Sequence, residues 1–308
     1  MKKIFVNLKR FEVSKEKGGI CPMDNPIEWT KWVVDESIKL NLGNIDNVFV
    51  CYLLPEATLY TGLSTLNGYP ESKRTRLNLG CQSVYRADIK AGGNFGAFTS
   101  NRPALAMKEI GCNWTMIAHS EERRDKLQMI AAYDPATETD AAAAKKSADA
   151  VDALLNAQVK CAIDRGMDVL FCIGETAEQK GEGGYDQYAP RVKAVLRSQI
   201  ENAFKGIDKE KVKDIVLGYE PIWAIGPGKT PPDSDYIAFV SKYAKEVTKE
   251  LYGYELDVVY GGGLKEENAE SIAAVSTIDG GLVALTKFVQ PIGFDPQSLK
   301  NIIMAYVK

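Results

Sequence analysis

Short runs of branched and aromatic residues alternate eight times with longer segments that place apolar side chains at helical spacing. The strand-type runs lie at 4–6, 48–52, 77–81, 114–118, 168–172, 215–218, 257–260 and 281–285. Helical patterns fall between and after them, at 27–40, 56–66, 103–110, from 120 onward, and at 140–164, 190–204, 235–247, 266–275 and 296–307. Strands separated by helices pair in parallel through right-handed crossovers. Eight such units predict a closed α/β structure, a (β/α)8 barrel. The competing architecture, an open doubly wound sheet, would show Gly-x-Gly-x-x-Gly after the first strand, and none is present. All 308 residues fit one barrel domain, because no linker or low-complexity tract divides them.

Composition narrows the function. A net charge of −3 provides no basic footprint for nucleic acid or an acidic membrane surface. No run approaches the roughly 20 apolar residues of a membrane span, and the start, Met1 to Asn7, turns polar too soon for a signal peptide. The expected location is the cytosol. Six cysteines without Cys-x-x-Cys pairing read as buried thiols, not as a zinc site or disulfide framework. His119 is the single histidine, so one side chain titrates near neutrality without help.

The stretch from Gly218 to Lys229 carries the chemistry. Glu220 ends an apolar run and is followed by Pro221, which fixes its own φ and cannot join a ladder. Bulky Ile222, Trp223 and Ile225 then lead into Gly226-Pro227-Gly228, a segment able to hinge and to bring backbone N–H groups close to an anion. A carboxylate on a rigid element beside a hinged lid is the arrangement of a general base. Taken alone, Glu220 would more often cap a helix, and Trp223 would be ordinary core.

In a barrel all strand carboxyl ends open on one face. Four of them carry suggestive groups: Asn7 and Lys9, His119, Glu220, and Gly261-Gly262-Gly263. Individually these are a turn residue, a solvated charge, a helix cap and a flexible loop. Their convergence favours a catalytic mouth.

The segment from Tyr219 to Lys229 closely resembles the base-and-lid segment of the triosephosphate isomerase family. Val6 to Lys9, His119-Ser120-Glu121, Leu170 to Glu175 and Val259 to Gly263 extend the resemblance over essentially the whole chain. It implies a cofactor-independent aldose–ketose isomerase acting on a small phosphorylated sugar, without a metal. Glu220 would be the base, His119 a neutral proton donor at a helix amino terminus, Lys9 and Asn7 stabilisers of the enediolate, and Glu121 the partner of Lys9. Phosphate would meet N–H groups of Gly226, Gly261, Gly262, Gly263, Ala284 and Leu285. Gly96 to Thr99 is similar to the family's interlocking loop and implies a homodimer around Thr99.

The chain departs from the family pattern at the phosphate end. Gly263 replaces a serine, Ala284-Leu285 replaces a Gly-Gly pair, and one extra glutamate precedes Arg123. Extra residues also occur around 18–26, 86–94 and 137–146. The phosphate grip is therefore expected to be weaker, shifted or supplied by another group such as Lys287. A tetrulose phosphate is the alternative substrate, and a sugar-phosphate-binding barrel without turnover the alternative function.

Overall fold

The computed structural model describes residues 1–226 and 228–307; Pro227 of the lid and Lys308 lie outside the described residues. Eight parallel strands close in the order β1-β2-β3-β4-β5-β6-β7-β8, a TIM barrel. They are β1 Lys2–Asn7, β2 Val48–Leu54, β3 Leu77–Cys81, β4 Trp114–Ile117, β5 Asp168–Ile173, β6 Ile215–Tyr219, β7 Val258–Tyr260 and β8 Gly280–Val283. The expected runs match these strands within one or two residues, except that Ala284 and Leu285 fall in the loop beyond β8.

The outer ring and loops hold α1 Pro26–Lys39, α2 Glu56–Asn67, α3 Ala104–Glu109, α4 Ser120–Tyr133, α5 Ala141–Asp164, α6 Ala177–Lys180 and α7 Tyr185–Ala203. They continue with α8 Lys209–Val212, α9 Ser234–Tyr252, α10 Glu266–Ala273 and α11 Pro296–Ala305. Asn25 caps α1 by accepting from Ile27 and Glu28, Asp140 caps α5, and Asp295 caps α11. Helix α7 differs from expectation: it begins at Tyr185, not at Pro190, which lies inside it. Gly184 and Gln187 form the start, and proline's usual position at a helix beginning misled the boundary.

Side-chain alternation along each strand fills two regions. Phe5, Leu53, Met116, Leu170, Val216 and Val259 pack inside the barrel, while Ile4, Val6, Val50, Phe171 and Leu217 pack between sheet and helices. Glycine is required at 174, where an added Cβ would sit 1.8 Å from the Glu220 carbonyl oxygen. That contact lets the end of β6 press against the end of β5. Five cysteines are buried, Cys161 is half-buried, and all six are unbridged.

Candidate active site at the carboxyl ends of the strands

Asn7, Lys9, His119, Glu220, Glu121, Gly226, Gly261, Gly263, Ala284 and Leu285 all line one cavity of about 1070 Å³. Glu220 follows β6 and is almost fully buried, at 3% exposure. Its Oε2 accepts the Ser120 N–H at 2.9 Å, and its Oε1 lies 3.1 Å from His119 Nε2. Both oxygens thus point at the first turn of α4, whose N–H groups and dipole favour an anion.

His119 is the N-cap of α4, and its Nδ1 accepts the Glu121 N–H at 3.3 Å. That bond holds the ring in the tautomer protonated at Nε2, which donates to Glu220. Burial disfavours the imidazolium, but the charge of Glu220 and its hydrogen bond outweigh burial, and the net pKa shift is upward. The expected neutral ring therefore depends on separating His119 from Glu220.

Asn7 ends β1 and Lys9 follows at φ 43°, a backbone conformation unusual for a side-chain-bearing residue. The strain is braced from two directions. Asn7 Oδ1 accepts the Lys9 N–H at 3.0 Å, and Gln82 donates to Asn7 Oδ1, the Lys9 carbonyl and the Leu53 carbonyl at 3.0–3.2 Å. Lys9 Nζ meets Glu121 Oε1 at 2.6 Å, the expected pairing. Burial opposes ionisation of Glu121, yet Lys9 more than compensates and its carboxyl pKa is lowered.

Sequence reasoning missed four supporting residues. Gln82 sits just past β3, where the strand-end logic that found Asn7 would also have found it. Ser120, in the sequence only a member of the His-Ser-Glu segment, gives its N–H to Glu220. Glu122, the extra glutamate, accepts the Ala118 N–H at 2.8 Å and the Ser83 hydroxyl at 3.1 Å. Ala118 has φ 68°, so Glu122 pins the strained turn that presents His119. Glu175 is fully buried and accepts from Tyr219, Trp223 and Tyr236 at 2.7–3.0 Å. Through Trp223 it ties the start of the lid to the barrel.

At the opposite wall the expectations divide. Gly226 has φ 124° and Gly228 φ 75°, conformations that suit hinge glycines. The N–H groups of Ala284 and Leu285 have no partner among the described residues and are free for an acceptor. Gly261 gives its N–H to the Tyr219 carbonyl at 2.7 Å, so that donor is spent, and Gly262 is buried with its carbonyl held by the Tyr260 hydroxyl. Lys287 does not face this cavity; it lies 3.5 Å from Asp295. The lysines that line the cavity here are Lys229 and Lys265. No group of three or more metal-ligating side chains occurs among the described residues. No helix among them is long and apolar enough to cross a membrane.

Comparison with known proteins identifies the family. Residues 48–290 match the family model described as triosephosphate isomerase. The chain is 32% identical over 191 residues to triosephosphate isomerase of Chloroherpeton thalassium, covering 61% of the chain and 64% of that relative, a little under two thirds of its length. It is 32% identical over 231 residues to that of Geotalea uraniireducens, covering 74% and 77%. The crystal structure of triosephosphate isomerase from Bartonella henselae superposes with a TM-score of 0.66 at 20% identity, covering 100% of the chain and 99% of that structure. A family match from β2 to the loop beyond β8, together with the Geotalea relative, shows that the chain belongs to the triosephosphate isomerase family.

Proposed function

We propose that the chain is a cofactor-independent aldose–ketose isomerase of small phosphorylated sugars, with glyceraldehyde 3-phosphate and dihydroxyacetone phosphate as the three-carbon pair. The observation that carries the reading is the approach of Glu220 to His119, at 3.1 Å, on the wall of a cavity large enough for a sugar phosphate. Glu220 removes the proton from the carbon beside the carbonyl and returns it to the neighbouring carbon. His119 Nε2–H donates to the enediolate oxygens as they gain charge, and Lys9 and Asn7 stabilise the same charge. Glu121 positions Lys9. Family relatives are named for this activity, which supports the same chemistry here.

The phosphate lies against the lid and the loops after β7 and β8, where Gly226, Gly263, Ala284 and Leu285 supply N–H groups and Lys265 adds charge. Glu175, through Trp223, governs how the lid closes over it. Thr99 and its loop form a homodimer contact, measurable as solution mass by light scattering. The decisive experiment incubates the protein with dihydroxyacetone phosphate in deuterium oxide. Deuterium entering at the carbon next to the carbonyl is expected; its absence with every sugar phosphate tried would make the chain a binding barrel instead.

A further inference from the structure

The cavity is much larger than a triose phosphate needs. Such a ligand has about ten non-hydrogen atoms, whereas cavities of roughly 300–1,000 Å³ enclose drug-sized molecules. Besides the lid and the loops after β7 and β8, the cavity extends along α4. Ser120, Arg124, Leu127, Gln128 and Ala131, at i, i+4, i+7, i+8 and i+11, line the cavity and so form one continuous face of that helix. The facing wall is α5, which contributes only the small residues Ala144, Ser147 and Ala148. None of the 14 residues of α4 is buried; the helix meets α5 through polar side chains, Arg123 with Asp152 at 2.6 Å and Glu122 with Gln158 at 2.8 Å, and the groove runs beside these contacts. Thr137 and Glu138 of the turn Pro135–Glu138, the first of the extra residues expected at 137–146, also line it.

The groove has a direction relative to the chemistry. In a closed barrel of eight strands, β4 lies across from β8, so a groove behind β4 extends away from the anion-binding loops after β7 and β8. Two side-chain donors line it without a hydrogen-bond acceptor among the described residues. The side chains of Arg124 and Gln128, one helical turn apart, make no hydrogen bond among the described residues, and Arg124 acts on Glu121 only through its charge. A planar guanidinium and an amide four positions apart suit a chain of hydroxyls.

We infer that the groove between α4 and α5 is a subsite for the distal hydroxylated carbons of a sugar phosphate longer than three carbons. The inference rests on the isomerase reading and specifies its substrate. Dihydroxyacetone phosphate lengthened at the carbon away from its phosphate is a ketose 1-phosphate, with the carbonyl at C2 and further carbons beyond C3. Glu220 takes the C3 proton, the C2–C3 enediolate forms, and return of the proton to C2 gives the isomeric 3-ketose. No atom or electron enters or leaves the substrate. The carbons beyond C3 pass His119 into the groove and meet Arg124 and Gln128.

The test measures deuterium incorporation and kcat/KM with dihydroxyacetone phosphate, erythrulose 1-phosphate and fructose 1-phosphate, using the full chain. Exchange at C3 of the two longer ketoses is expected at rates within about tenfold of the triose. Ala148→Phe, which fills the groove, and Arg124→Ala should each lower the ratio of long-substrate to triose kcat/KM at least tenfold, with unchanged circular dichroism. Triose exchange without C3 exchange, or ratios unmoved in both variants, would overturn the subsite while leaving the isomerase reading intact. Ratios unmoved alongside a change in solution mass in Ala148→Phe would assign the groove to contact between copies and also overturn it. No exchange with any of the three substrates removes both readings.

Discussion

Glu220 Oε1 and His119 Nε2 stand 3.1 Å apart although 101 positions separate them in the chain. Both are held by the first turn of α4: Ser120 gives its N–H to Glu220, and Glu121 gives its N–H to His119. The pair is therefore set by the first turn of α4 meeting the end of β6.

That geometry makes Glu220→Asp informative. Shortening the side chain by one methylene withdraws the carboxylate about 1 Å, and displacement on that scale can lower turnover about 100-fold. Steady-state kinetics should show kcat down by that factor or more, with an unaltered far-ultraviolet spectrum. Near-normal kcat would remove Glu220 from the role of base.

The single histidine allows a direct pH measurement. Its native pKa is raised: burial opposes the charge, but Glu220 outweighs it. The folded state then holds the proton more tightly than the unfolded chain. The resulting stability is complete below the ordinary histidine value of about 6.5 and is lost as pH rises through the raised native value. Urea titrations of wild type and His119→Gln should show a stability difference that shrinks across that window. Imidazole resonances of the unliganded protein should titrate above the ordinary value, and a bound phosphorylated ligand that separates the pair should lower the midpoint.

The lid tie is testable without substrate. Tyr236→Phe removes one donor from the buried Glu175 carboxylate. Hydrogen bonds to charged groups are worth about 1.5–3 kcal/mol, and chemical denaturation should show a loss of that order. Trp223→Phe should in addition change kcat and KM together, because its indole links the lid to Glu175.

Ala118 occupies a left-handed conformation at φ 68°. That region costs an L-residue about 1–2 kcal/mol, while glycine's extra chain freedom takes back about 0.5–1 kcal/mol. Ala118→Gly should stabilise the protein by about 0.5–1 kcal/mol in urea melts. Destabilisation would mean that the Glu122 brace already compensates the strain.

At the proposed anion end, Lys265 lines the cavity and Lys287 does not. Lys265→Ala should raise KM and the inhibition constant of inorganic phosphate about tenfold with little change in kcat, the pattern of lost uniform binding. Lys287→Ala, which breaks only the contact with Asp295, should leave both within twofold.

Local patterns in the chain were sufficient for the eight strand–helix units, the barrel class and the placement of Asn7, Lys9, His119 and Glu220 at strand ends. Hydrophobic period, turn residues and Glu-Pro act within a few positions, so each window of sequence contains its own instruction. Tertiary structure alone decided which distant groups meet. Gln82 reaches Asn7 across 75 positions and Ser120 reaches Glu220 across 100, contacts with no local signature. It also decided that Lys287 turns to Asp295, that Gly261 spends its N–H on Tyr219, and that the cavity extends between α4 and α5. Those outcomes depend on side-chain volume and direction after the barrel closes, when small residues on one helix and donors on another first come to share a space.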